Sequence, residues 1–385
     1  MLMHISTIPA THSPPRRSRL FGRARTTVLW SLAAFAVLQL GLAIAIEYRM
    51  PELRDPNYAI KAERLQKRWA EASRAARACD PPQQPKLVVM LGSSRTAFGL
   101  KAGELEEPLA RELSCPVIAY NMGVFAAGPV TELVHLKRLV AEGIRPDVLL
   151  IEVLPPLLAG QYRVPSEAKW LPADKLWLRE LPLLERHGFP AGELRDAWLE
   201  AWPVPWYSHR FAIISRIMPT AIPWNVRQDW SHGTDAWGWA RSLHDHLTPK
   251  ERCHLLERTH AEYAYYLEDF HLGGPTADAL REMLEVCRQE GIPAALVLMP
   301  EGSDFRSWYP RDAWQQIAAY LEDLSRQYDT PIINCRQWIA DGEFSDSHHL
   351  LFSGAVQFTR RLGRDAILPL LKAQKTSLAT MAKRG

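Results

Sequence analysis

Three short stretches, far apart in the chain, carry side chains that could together move an acyl group. They are Gly92-Ser93-Ser94-Arg95, Asn121-Met122-Gly123 and Asp346-Ser347-His348-His349. A serine hydroxyl is a weak nucleophile until a base removes its proton, and histidine is the side chain poised to do so near neutral pH. An acid must then hold the imidazole in one tautomer and stabilise the imidazolium that forms. Asp346 and His349 are three residues apart, the spacing of neighbours on a helical turn, so the pair supplies acid and base. His348 is the alternative base, less well spaced. A tetrahedral intermediate also needs fixed donors for its oxyanion. The backbone amides of Ser94 and Gly123, with the side chain of Asn121, are the candidates, although Asn121 and Gly123 also read as an ordinary turn.

These residues are useful only if the elements bring them together. Lys86–Leu91 (KLVVML), Val117–Tyr120, Val148–Val153 (VLLIEV), Ala294–Met299 and Pro331–Asn334 are short apolar runs that read as buried strands. Between them lie helical stripes: 103–113; Leu133, Leu136 and Val140; Leu280, Met283, Leu284 and Cys287; Trp314, Ile317, Leu321 and Leu324. A last helix runs from Ser353. Five alternations of strand and helix predict an α/β fold, a five-stranded parallel sheet with helices on both faces in three layers. Ligands of such sheets bind beyond the carboxyl ends of the strands, and all three stretches fall there.

The order of these stretches resembles the SGNH (GDSL-like) hydrolase superfamily over about residues 86–153 and 276–373. Gly92-Ser93-Ser94 matches its first block and makes Ser94 the nucleophile. Gly123 or Gly128 matches the second, and Asp346-Ser347-His348-His349 the last. Ser93 stands where the family usually has Asp, as in membrane-anchored envelope proteins of alginate O-acetylation and of D-alanine transfer to teichoic acid. Leu154-Pro155 stands where the third block would place an oxyanion-hole Asn. The resemblance implies a serine esterase or O-acyltransferase that needs no cofactor. It would act on acyl esters of an envelope or exported polysaccharide, with or without a membrane acyltransferase as partner. A scaffold of the same fold that binds glycan or partner proteins is the alternative.

Other residues at the strand ends suggest substrate contacts. Arg95 follows the serine, and Glu301 and Arg306 follow the fourth strand, where they also read as a solvated ion pair. An insertion of about 156–275 holds nine of the fourteen tryptophans. They read either as a sugar-stacking platform, with Trp237 in Asp235–Trp239 its first candidate, or as the core of the inserted piece. His348 and His349, adjacent in sequence, do not read as a metal site.

The N-terminus sets the location. Residues 1–27 form a basic tail with Arg16, Arg17, Arg19, Arg23 and Arg25 and no acid, followed by Val28–Ile46 without a charge. Nineteen helical residues span about 28 Å, close to the hydrocarbon core of a bilayer. The arginine bias predicts a single-pass inner-membrane anchor with the C-terminal domain periplasmic or otherwise extracytoplasmic. Ala43-Ile44-Ala45 also fits a signal-peptide cleavage site. Residues 47–85 then read as a juxtamembrane stalk containing a helix over 59–78, 86–373 as the domain and 374–385 as a tail. The 385 residues are 47% hydrophobic, which excludes a disordered chain, and a net charge of +3 gives no footprint for nucleic acid. Of the five cysteines, Cys79 and Cys115 are the pair placed for a disulfide.

Overall fold

The computed structural model describes residues 17–79, 82–223, 233–242 and 247–373. Most of the basic tail, the C-terminal tail 374–385, Trp224 and Trp230 lie outside the described residues.

Five parallel strands form one sheet: β1 Lys86–Leu91, β2 Val117–Asn121, β3 Val148–Val153, β4 Ala294–Leu298 and β5 Ile332–Asn334, in spatial order β2-β1-β3-β4-β5. Four of the five runs read as buried strands are buried along nearly their whole length, whereas β5, at the sheet edge, is buried only at Ile333. Side-chain alternation sends Leu87, Val89 and Leu91 to one face and Val88 and Met90 to the other. The first face is covered by α2 Pro56–Arg77, α5 Pro129–Ala141, α9 Gly274–Glu290 and α10 Arg311–Tyr328; the second by α4 Gly103–Leu113 and α11 Phe352–Leu362. This is the expected three-layer α/β architecture. The order reverses between β1 and β3, which opens a crevice at their carboxyl ends. The turn into α3, Ser94–Gly99, leaves β1 there.

Two boundaries differ from the expectation. The helix of the predicted stalk is present as α2, but it does not stand away from the domain. Tyr58, Ala62 and Leu65 join the main hydrophobic core, and Leu65 is fully buried. Its many charges hid this stripe of one apolar contact per turn. Cys79 lies just past the end of α2, exposed, and all five cysteines are thiols. The Cys79–Cys115 disulfide is therefore absent.

Helix α1, Arg17–Tyr48, contains a stretch, Arg23–Tyr48, long and apolar enough to cross a membrane, with Val28, Leu29, Trp30, Leu32, Val37 and Leu38 exposed. The described part of the inserted segment between β3 and α9 holds short helices, among them α6 Ala191–Ala201, α7 Pro205–Ser208 and α8 Arg210–Ile217, and one long helix, Pro249–Leu267. Its described tryptophans do not form one platform. Trp177, Trp198 and Trp239 are buried, whereas Trp202 and Trp206 are exposed within one short stretch and Trp170 is exposed elsewhere along the segment.

Candidate active site

The turn from β1 into α3 is sharp because Gly92 allows it. A Cβ there would come within 2.2 Å of Thr96 Oγ1 and 2.4 Å of Glu152 Oε2. Ser93 caps α3, its hydroxyl accepting from the Arg95 amide. Glu152, one residue before the end of β3, holds this turn from beneath. Its carboxylate accepts from Ser93 N at 2.9 Å, Ser93 Oγ at 2.8 Å, Thr96 N at 3.2 Å and Thr96 Oγ1 at 2.6 Å. Ser94 is thereby left at the first helical position, partly exposed, with its side chain directed away from that network. A negative charge is well placed there because the first amides of a helix lack intrahelical acceptors.

The Asp346–His349 stretch is not the helical turn expected from its spacing. It is a loop closed by a bridge between Phe344 and Leu350, with Ser347 at φ +69°. Asp346 Oδ1 accepts from the amides of His348 and His349, so the acid's own side chain folds the loop. The loop is held against the segment after β4, where Gly302 N donates to Ser347 O at 2.8 Å and Phe305 N to Ser347 Oγ at 3.1 Å. His349 Nδ1 meets Asp346 Oδ2 at 2.7 Å, and His349 Nε2 meets Ser94 Oγ at 2.8 Å. With Nδ1–H donating to the carboxylate, Nε2 is the lone-pair acceptor that faces the serine hydroxyl. The chain separation of 255 residues is bridged by one hydrogen bond.

The electrostatics suit this relay. Burial opposes the charge on Asp346, but the two imidazoles beside it outweigh burial and hold its carboxyl well below the usual range. Asp346 is thus held in its charged form. His348 is fully enclosed, stacked on Phe305 at 5.5 Å and edge-on to Tyr263. Burial, only partly offset by Asp346, pushes it down to about 4. Its Nδ1 lies 3.2 Å from Asp346 Oδ1 without hydrogen-bond alignment. His348 therefore packs behind the acid, and His349 alone reaches Ser94. The atoms of Asp346, His348 and His349 lie within 4.8 Å of one another, close enough for a metal. Here Asp346 and His349 are committed to each other and His349 to Ser94.

The expected oxyanion donors fare differently. Asn121 is fully buried; its Nδ2 donates to the carbonyls of Thr96 and Leu100 at 2.8 Å, and its Oδ1 accepts from Gly123 N at 2.9 Å. Both groups are thus spent on fastening the β2 loop to α3 and do not point at Ser94. Gly123 is there because the two segments touch: a Cβ on it would lie 2.5 Å from Ala97 N. The Ser94 amide is the donor that remains. Leu154 and Pro155 carry no side-chain donor.

The expected substrate contacts are also corrected. Arg95 and Glu301 are nearly fully buried and face each other at 3.6 Å, with Arg95 Nη2 donating to the carbonyls of Met299 and Pro300. Glu301 also accepts from Arg336 Nε at 2.5 Å and Tyr309 Oη at 3.0 Å. Arg306 binds the carbonyls of Glu301 and Arg336. These three tie the β4 and β5 loops together in the interior. Trp237 lies beneath Arg68 at 4.7 Å and against Gly103, so its ring is engaged within the fold. Its neighbours latch α3 instead: Ala240 N donates to Ala97 O at 2.9 Å, and Trp239 Nε1 to Phe98 O at 2.7 Å.

Three residues near the relay had escaped the sequence reading. Glu152 is the lone charge in an apolar strand. Phe98 sits edge-on to His349 at 5.5 Å, and Phe125 stacks on Phe98 at 5.0 Å. Both rings are partly exposed and wall one side of the relay. Phe98 lies four residues after Ser94, one turn along α3, a spacing that points to this side.

Fold and site together define a doubly wound α/β protein with a serine–histidine–aspartate relay at the carboxyl edge of its sheet. A protein-family model matches residues 271–368, which include β4, β5 and the Asp346–His349 loop. Among solved structures the chain is similar to a lipase/acylhydrolase from Enterococcus faecalis, at 12% identity and a TM-score of 0.31, over 72% of this chain and 95% of that one. No curated protein matches.

Proposed function

We propose that the protein is a serine-dependent acyl-ester hydrolase or O-acyltransferase. The observation that carries this reading is the unbroken relay Ser94 Oγ–His349 Nε2–Asp346, with both contacts under 3 Å. Ser94 Oγ attacks the ester carbonyl while His349 takes its proton at Nε2. His349 then gives that proton to the leaving alcohol. Water, or a second hydroxyl, attacks the acyl-serine with His349 again as base. The wall of Phe98 and Phe125 supports an apolar acyl group beside the serine. In this reading α1 anchors the chain in the inner membrane with the domain on the extracytoplasmic side. The acyl acceptor or donor is then an envelope or exported polysaccharide, handled alone or with a membrane acyltransferase.

One observation favours a second reading, a non-catalytic scaffold of the same fold. Asn121 and Gly123 are engaged elsewhere, which leaves the oxyanion the Ser94 amide. Loss of one donor costs about 3 kcal/mol, a rate factor of about 10²–10³. Fluorophosphonate labelling of the full chain decides between them. The enzyme reading expects a covalent adduct that Ser94→Ala and His349→Ala each abolish. A folded wild type that never labels supports the scaffold.

A further inference from the structure

Helix α1 does not leave the domain at the level where its apolar stretch ends. Gln39, Ala43 and Ile46 lie along one stripe and are 6%, 2% and 1% exposed, while Leu38, Leu40 and Ile44 beside them are open. Part of the inserted segment covers that stripe. Ile46 packs with Leu53 and Ala212, and Leu42 and Ile213 close around them. A small cavity between Ala43, Ile46, Trp202 and Pro205 lies at the same junction. Glu47 pairs with Arg54 at 2.8 Å and accepts from Leu178 N at 3.1 Å. The junction is therefore packed and ion-paired.

The helical rise puts Ala43 about 8 Å and Gln39 about 14 Å below Tyr48 along the axis. Helices α7 and α8 thus lie beside the last turns of the apolar stretch rather than beyond it. At that depth their outward side chains meet what Leu40 and Ile44 of α1 meet. Those side chains suit it: Trp206, Tyr207, Ile217 and Met218 are 47%, 55%, 71% and 57% exposed, next to Trp202 and Leu199. Of the eleven exposed large hydrophobic residues outside α1 among the described residues, these six fall within twenty positions. Tryptophan and tyrosine favour the membrane–water boundary. Most of the backbone there is helical, as a low-dielectric layer favours, with breaks at 202–204, 209 and 218. Arg210 lies over the rings of Tyr207 and Phe211, and Arg216 pairs with Glu52 at 3.3 Å, so both cations have a local partner.

We propose that residues 199–218 form a monotopic foot sunk in the interfacial layer of the bilayer that α1 crosses, seating the domain on the membrane surface. This rests on α1 crossing the membrane, but not on the chemistry at Ser94. The exposed side chains continue the lipid-facing surface of α1 and mix aromatic rings with arginine, as an interfacial element does. They therefore fit lipid better than a flat protein interface.

The test uses the full chain in liposomes, with Cys79→Ser, Cys115→Ser and Cys253→Ser. Spin labels are placed singly on Val37→Cys in α1, Trp206→Cys and Ile217→Cys in the foot, and Asp323→Cys on α10. Collisions with oxygen and with a water-soluble nickel chelate are compared. The expected result is loss of nickel collisions and gain of oxygen collisions at 206 and 217, matching 37 and opposite to 323. If 37 reads as lipid while 206 and 217 read as water, the foot is overturned and the span stands. If 37 itself reads as water, the span fails and the foot with it. If 206 and 217 are shielded from both relaxants, the face is covered by protein and the proposal is wrong.

Discussion

At the scale of single residues, the relay depends on a carboxylate that never touches the serine oxygen. Glu152 accepts four hydrogen bonds from Ser93 and Thr96 and fixes the turn that presents Ser94. In Glu152→Gln one oxygen becomes an NH2 donor facing donors. The variant is expected to lose about 2–4 kcal/mol of stability, by urea unfolding, and its folded fraction to label more slowly with fluorophosphonate. Normal labelling in the variant would reduce Glu152 to a packing role. Ser94, Asp346 and His349 were legible because each follows an apolar run at a fixed place in the strand order. Arg95, Glu301 and Arg306 were misread for the same reason. Strand order places a loop at the edge, but it does not tell whether an arginine turns outward or pairs with a buried glutamate behind it.

At the scale of elements, α2 and the 235–240 segment are what hold the β2 loop. Lys61 of α2 is buried and donates to Asn121 O at 2.9 Å and Gly238 O at 2.7 Å, joining the two. Asn121 is the residue that fastens α3, so Lys61 acts on the serine's helix through it. Burial, partly offset by Asp235, pushes Lys61 down to about 7. An unfolded lysine binds its proton up to about 10.4. Between those values the unfolded state holds more protons than the folded one, so stability rises with pH there. Urea unfolding at pH 7 and pH 10 is expected to show this rise in the wild type and a smaller one in Lys61→Met. Equal slopes would mean that Lys61 keeps its charge when buried. The sheet and its covering helices were legible from apolar periodicity. The docking of α2 was not, since 59–78 carries so many charges that its core-facing stripe is thin. Nor was the latch by Trp239, because a tryptophan's indole N–H bonds a carbonyl that only the folded chain brings near.

At the scale of the whole molecule, acid sensitivity follows from imidazoles buried in their neutral form. Burial pushes His348, behind the relay, to about 4 and His135, on α5 beside Tyr58, to about 3. Both titrate near 6.5 when unfolded, so the unfolded state gains protons first as pH falls. Stability is expected to drop from about pH 6.5 down to about pH 4, by on the order of 3 kcal/mol for His348 alone. Asp346, held low by its imidazoles, adds to the loss at still lower pH. Thermal unfolding across that range checks this, and His348→Gln should shallow the fall. A flat profile would place both rings in water. The three-layer class and the apolar N-terminal helix were readable from composition along the chain. The way the inserted segment wraps that helix was not, because its contacts join short helices with no common period.

The relay has one partner near the start of the domain and two close to its end, His349 lying 255 residues after Ser94. The sheet orders the same way: β5 is an edge strand, added last, and the loop that carries His349 follows it. During synthesis the serine turn can fold against Glu152 as soon as β3 exists, yet it has no base. The relay is therefore completed in one step, when the segment that carries β5 and His349 docks. A chain cut short of that loop would keep the Ser94 turn and lack the imidazole that faces it, so the complete relay is a property of finished molecules alone.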